Sequence, residues 1–285
     1  MHKQPCAVRV RALAGIALVV ACLAPGSVKS SAVGGAVDAI GIGSKGATAT
    51  ALAQRIAAPT PPAPPGPSAG HFATLPVGSA LPSDAACAAA VRPVAELRAD
   101  NVQANHTVGV GATDGQPRVT GNFVGSTDEI IQWTACKWGI DEDIVRAQIA
   151  KESGWHQNAK GDFTSDQSSC YPALRTGSGS CPESVGLGQV RFPYNGAAFA
   201  NGNAVNSSAY NLDYTYAQWR SCFEGQQTWL NNAERGAQYA AGDQWGCVGL
   251  WFAGRWYTND AKTYIAAVKD YLAQRVWETP GFKTW

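Results

Sequence analysis

Residues 126–154 read STDEIIQWTACKWGIDEDIVRAQIAKESG, and this stretch decides the fold. Ser126 and Glu129 form a capping box, in which the hydroxyl accepts from the third helical N–H and the carboxylate reaches back to the cap. Ile130, Ile131, Ala135 and Trp138 then recur at helical spacing until Gly139, so a helix is predicted over about 127–138. Asp141 is the next N-cap. Ile140, Ile144, Val145 and Ile149 make an apolar stripe that runs to Glu152 or Ser153, before Gly154 supplies the stop.

Outward from this pair the pattern persists. Helical periodicity is read over Leu212 to Leu230, around Trp245 to Phe252, and over Ala261 to Trp277, where Tyr264 or Ile265, Val268, Leu272 and Val276 share a face. No alternating run is long enough for a major strand, so an all-α domain is expected over residues 86–285. All ten Trp and all nine Tyr lie at or after Trp133, which places the packed core in that half of the chain.

The N-terminal third reads differently. Lys3, Arg9 and Arg11 precede an apolar run from Ala12 to Ala24 that ends in small residues and Pro25, the pattern of a secretory signal peptide over residues 1–24. Val19-Val20-Ala21-Cys22 loosely fits a lipid-modified cysteine, with an incidental Cys in a cleaved signal as the preferred reading. No other stretch approaches the roughly 20 apolar residues of a membrane span. A secreted or wall-associated protein without an integral membrane span is therefore expected. Residues 25–85 are rich in Ala, Gly, Ser and Pro, with eight prolines between Pro59 and Pro82, and read as a disordered linker. Within it Gly41-Ile42-Gly43-Ser44-Lys45-Gly46 matches a dinucleotide-binding pattern formally, but lacks the preceding strand and the later acidic residue.

Charge excludes one class of partner. The 285 residues carry 22 basic and 21 acidic groups, a formal net charge of +1, so there is no electrostatic basis for binding nucleic acid. With Cys6 and Cys22 assigned to the signal, Cys87, Cys136, Cys170, Cys181, Cys222 and Cys247 remain, an even number in an exported chain. Cys170–Cys181 across a Gly/Ser loop, Cys222–Cys247 between two helices, and Cys87–Cys136 are the expected pairs among 15 arrangements. No C-x-x-C and no clustered His accompanies these cysteines, so disulfides and not a metal site are expected.

Few residues are placed for chemistry. Glu152 projects along the edge of the buried stripe of its helix, where partial desolvation raises a carboxyl pKa toward that of a general acid. Taken alone it reads as a surface Glu at a helix end. Gln148 lies one turn earlier on the same face, Ser153 and Trp155 follow, and Ser184-Val185-Gly186-Leu187-Gly188-Gln189 comes some 30 residues later.

Ala150-Lys151-Glu152-Ser153-Gly154-Trp155 resembles the catalytic Glu-Ser segment of the soluble lytic transglycosylases of bacterial cell walls. Gly186-Leu187-Gly188-Gln189 resembles that family's Gly-Leu-Met-Gln segment, with Gly188 in place of Met. Leu250-Trp251-Phe252-Ala253-Gly254 falls where the family has Tyr-Asn-Ala-Gly, and Tyr264-Ile265-Ala266-Ala267-Val268 resembles its closing Tyr-Val helix. The likeness covers Thr127 to Leu272.

The resemblance implies a lysozyme-like, mostly helical fold that cleaves the β-1,4 bond between N-acetylmuramic acid and N-acetylglucosamine in peptidoglycan. Glu152 would be the single catalytic residue, leaving a 1,6-anhydro sugar, with no metal or cofactor needed. Gln148, Ser153, Gly186, Leu187, Gly188 and Gln189 would line the sugar groove of a monomer acting on glycan strands. The family's Tyr of the third motif, which orients the Glu, is replaced by Trp251, with Tyr257 as a substitute. Asp162, Asp166 and Glu183 lie in a longer segment between the first two motifs, where a second carboxylate would make a hydrolytic muramidase similar to goose-type lysozymes. Loop solvation is the preferred reading of Asp162 and Asp166.

Sugar rings stack on aromatic faces, so Trp155, Tyr194, Trp251, Trp256 and Tyr257 are candidate subsites, while Trp133 or Trp138, Trp219, Trp229 and Trp277 fall at core phase. A non-catalytic glycan-binding module is the alternative from another class; it has no need of a carboxylic acid at Glu152. A Ser-His-Asp hydrolase is disfavoured, since no G-x-S-x-G occurs and no His follows His156, and the H-E-x-x-H of a zinc peptidase is lacking.

Overall fold

The structure, a computed structural model, describes residues 70–101 and 118–284, all within one compact unit, Thr60–Trp285. The expected signal peptide, Cys22, the glycine motif at 41–46 and the linker as far as residue 69 lie outside the described residues.

In chain order the helices are α1 (Asp84–Ala90), α2 (Thr127–Trp138), α3 (Glu142–Ser153), α4 (Asn203–Asn206), α5 (Ser208–Phe223), α6 (Gln244–Ala253) and α7 (Asn259–Gln274). Three strands, β1 (Lys160–Thr164), β2 (Cys181–Val185) and β3 (Val190–Arg191), lie between α3 and α4. The capping box that starts α2 is formed, with Ser126 N–H donating to Glu129 and Glu129 N–H to Ser126. Gly139 and Gly154 end α2 and α3 with φ near +59°, a conformation that costs other residues about 1 kcal/mol or more.

The expectation of an all-α domain is corrected to a mostly helical domain with a small antiparallel sheet. β2 is central, pairing Lys160↔Val185 and Thr164↔Cys181 on one side and Ser184↔Arg191 on the other. No alternation announces it, because β2 is buried along its whole length, Glu183 and Ser184 included. Those two polar side chains are satisfied by Arg191 and Asp162 rather than by water.

The linker boundary moves as well. Residues 70–85 are held on the α2–α3 corner: Phe72 is buried, Leu75 N–H donates to Gly139 O at 3.1 Å, and Phe72 and Glu142 exchange bonds through backbone and carboxylate. A Pro-rich segment without its own core is ordered here by backbone pairing to another element, which composition does not register.

α5 runs through the middle of the unit and is buried at nearly every position. α2 and α6 pack on α5, and α7 packs on both α3 and α6. Lys137 of α2 and Asp213 of α5 form a fully buried ion pair at 2.7 Å, with Trp138 Nε1 and the Thr120 and Gly121 N–H groups also donating to Asp213. Removing one partner of such a pair costs about 3–5 kcal/mol, so it pins the crossing of the two helices. The disulfides are Cys87–Cys136 between α1 and α2, Cys170–Cys181 across the β1–β2 connection, and Cys222–Cys247 between α5 and α6. Three such bridges belong to an oxidising compartment. No helix among the described residues is long and apolar enough to cross a membrane.

The periodic segment read from Leu212 to Leu230 begins earlier and stops at Phe223, because Gly225 turns the chain with φ +79°. Beyond it Trp229, read as core, sits on a short 3-10 turn and is 43% exposed.

Candidate active site

Glu152 occupies the last turn of α3, facing α7. Tyr264, buried on α7, donates its hydroxyl to Glu152 Oε1. Glu152 keeps part of its surface open to solvent, but the protein packed around its carboxyl removes most of its water. That burial pushes its pKa up to about 7 against the pull of the Tyr264 hydrogen bond and of Lys151, with the negative charge of Asp162 adding to the rise. Near neutrality the group is divided between acid and carboxylate, the condition under which one side chain can both give and take a proton.

Gln148 does not face the groove. It is 1% exposed, one turn behind Glu152, and its Oε1 accepts from the buried Tyr216 of α5 at 3.1 Å. It is also hydrogen-bonded to Tyr264. Three helices thus meet under the carboxyl through Tyr216, Gln148 and Tyr264. Tyr264 reads from sequence as a residue on an apolar helical face and Tyr216 is not singled out; the hydroxyl that each must satisfy when buried was the signal of a polar role.

Neither residue named for the orienting role reaches Glu152. Trp251 Nε1 donates to Gly188 O at 2.9 Å, and the Tyr257 hydroxyl goes to Asp243 at 2.8 Å. Trp155 and Trp256 are 3% and 1% exposed, so they belong to the core and not to sugar subsites. Trp155 donates to Arg146 O and packs edge-on against Phe282.

The loop 186–189 follows β2 and lies flat on α5. Asn211 of α5 holds it, accepting from Gly188 N–H at 2.8 Å and donating to Val185 O at 3.0 Å. A Cβ at Gly186 would overlap Asn211, and one at Gly188 would overlap Thr215, so both positions need glycine. Leu187 is fully buried and contributes to the core, so it does not line a groove. Gln189, at φ +51°, is half-buried and folds back so that Nε2 donates to Gly186 O. Ser153 is half-buried and donates to Ile149 O.

Among the described residues the exposed aromatic faces are Tyr194, 71% exposed beside the Arg191 guanidinium, Phe163 on β1, Trp229 and Phe252. Phe252 is the one that stands next to the acid: its ring stacks on Tyr264 at 4.7 Å and 2° while half of its surface faces solvent. Sequence reading passed over it because it stood where the resembled motif has Asn.

The three acids between the motifs separate clearly. Asp166 caps a 3-10 turn through Ser168 and Ser169, and Glu183 is buried against Arg191. Asp162, at φ +50°, accepts from Ser184 Oγ at 2.6 Å and leaves about half its side chain exposed. His71, Glu142 and Asp143 are clustered with metal-ligand chemistry, but Arg92, Arg146 and Arg275 already neutralise the two carboxylates.

Comparison of the chain with protein-family models, with curated proteins and with solved structures finds no match.

Proposed function

We propose that the protein is a secreted peptidoglycan lytic transglycosylase with Glu152 as its acid and base. The observation that carries this reading is a half-buried carboxyl group at the end of α3, with its pKa raised to about 7 and a buried tyrosine hydroxyl fixing one of its oxygens. An acidic group tuned this way suits protonation of a glycosidic oxygen. The Glu-Ser and Gly-Leu-Gly-Gln segments support the family, and the exposed ring of Phe252 supports a carbohydrate ligand.

In the reaction Glu152 gives its proton to the oxygen linking N-acetylmuramic acid to N-acetylglucosamine, and the bond to C1 breaks. The carboxylate left behind is stabilised by Tyr264, whose hydrogen bond strengthens once its acceptor is charged. It then takes the proton of the muramic acid 6-hydroxyl as that oxygen bonds to C1, closing the 1,6-anhydro ring and restoring the acid. No water enters the balance.

A second reading has its own observation. Asp162 bears a charge that Glu152 senses and has an exposed oxygen, so it could hold a water for hydrolysis, as a two-carboxylate glycosidase requires. A binding-only module explains neither the raised pKa nor the tyrosine. Glu152→Gln should abolish release of muropeptides from purified peptidoglycan while the variant still sediments with it. Release by the variant at the wild-type rate would sink the assignment.

A further inference from the structure

We infer that Tyr216 and Gln148 are positioning residues that set the direction of the Tyr264 hydroxyl and, through it, which oxygen of Glu152 carries the acid proton. The inference rests on Glu152 being the general acid.

The argument is one of hydrogen-bond direction. A side-chain amide has one accepting end and one donating end, and a phenol has a single proton. Tyr216 spends its proton on Gln148 Oε1. Tyr264 gives its one proton to Glu152 Oε1, so the end of Gln148 that meets the Tyr264 oxygen is Nε2, a donor. The sense of the Gln148 bond agrees, since it favours the Tyr264 phenolate as a donor does. With its oxygen receiving from Gln148, Tyr264 keeps its proton on Glu152 Oε1. The acid proton of Glu152 is then confined to Oε2, the oxygen not held by Tyr264.

Nothing about packing demands this arrangement. Gln148 is 1% exposed on the same face of α3 as Ile144, where an aliphatic residue would fill the space without needing partners. A buried polar chain that is satisfied link by link fixes a unique geometry instead. The groups acting on Glu152 are Lys151 on its own helix, Tyr264 from α7 and Asp162 from β1, while Tyr216 from α5 is itself acted on by the Glu152 charge.

The test uses Tyr216→Phe, Gln148→Met and the double variant. The readouts are the carboxyl titration of Glu152 by carbon-13 NMR, assigned by its loss in Glu152→Gln, and kcat on peptidoglycan. Tyr216→Phe releases the Gln148 oxygen to compete for the Tyr264 proton. The Glu152 midpoint should rise by about half to one pH unit, and kcat at neutral pH should fall about three- to tenfold with KM unchanged, the scale of one neutral hydrogen bond. Adding Gln148→Met removes the competitor and should return the midpoint to that of wild type. A purely structural role gives the opposite pattern: each substitution lowers Tm, the second adds to the first, and the midpoint stays put. An unmoved midpoint in Tyr216→Phe, or a double variant no nearer wild type than the single, overturns the inference. The titration needs no substrate. A wild-type protein inert on peptidoglycan that still shows this pattern would refute the transglycosylase reading and leave the positioning chain intact.

Discussion

Replacing Glu152 by Gln should stabilise the folded protein at pH 8 and leave its stability unchanged at pH 4. A carboxyl group held at about 7 when folded, against an ordinary value of 4.5, binds its proton more tightly in the native than in the unfolded chain. Stability is then full below pH 4.5 and falls as pH rises toward 7, where the penalty of ionising the group inside the fold is complete. A rise of about 2.5 pH units at about 1.4 kcal/mol each sets the penalty at about 3–4 kcal/mol. The amide has no such penalty and still accepts from Tyr264. Denaturant unfolding of both proteins with disulfides intact, at several pH values from 4 to 8, reads the difference directly. A gain that is the same at every pH, or absent at pH 8, would mean that burial does not hold the Glu152 proton, and the basis for its dual role would be gone.

Three other substitutions probe the surroundings. Phe252→Ala should weaken binding of soluble glycan fragments about fivefold, the loss of about 1 kcal/mol of ring contact, with little change in Tm because the ring is half exposed; unchanged affinity would remove it from the groove. Gly188→Ala should cost about 1–3 kcal/mol through its overlap with Thr215, and Thr215→Ala in the same chain should recover much of it in thermal unfolding. Cys170→Ser with Cys181→Ser, opening a loop of 11 residues' separation, should lower stability by about 3 kcal/mol; an unchanged denaturation midpoint would show that the β1–β2 connection is rigid without its bridge.

How far the sequence could be read depended on whether a residue answers to neighbours in the chain or across the fold. α2 and α3 were legible to their ends because capping box, apolar stripe and terminal glycines all act within a few residues. An even count implied three disulfides; their pairing, one choice among 15 in the sequence, is the one the fold makes. β2 was not legible: a strand buried on both sides through Glu183 and Ser184 depends on Arg191 and Asp162, whose proximity only the fold creates. Residues 70–82 likewise borrow their order from Gly139 and Glu142, some 65–70 positions away.

The site divides along the same line. Glu152 at the edge of its own helix is singled out only together with Gln148, Ser153 and the 184–189 segment and through the family resemblance of 150–155 and 186–189. Its partners are not, because a tyrosine at helical phase reads as core whether or not its hydroxyl has a task, and Tyr264 and Tyr216 have both duties. Gln148 was rightly linked to Glu152 by the helical turn between them, but the tyrosines on α5 and α7 place it beneath the acid and not in the groove. Trp155 and Trp256 carry the converse lesson: an aromatic near a motif in sequence is not thereby near a substrate, and both are buried.

The central claim is the dual role of Glu152, and the masses of the products released from purified peptidoglycan test it most directly. Muropeptides ending in 1,6-anhydro-muramic acid, absent with Glu152→Gln, are the expected result. Products one water heavier would contradict the account and direct attention to Asp162 as the group that holds the water.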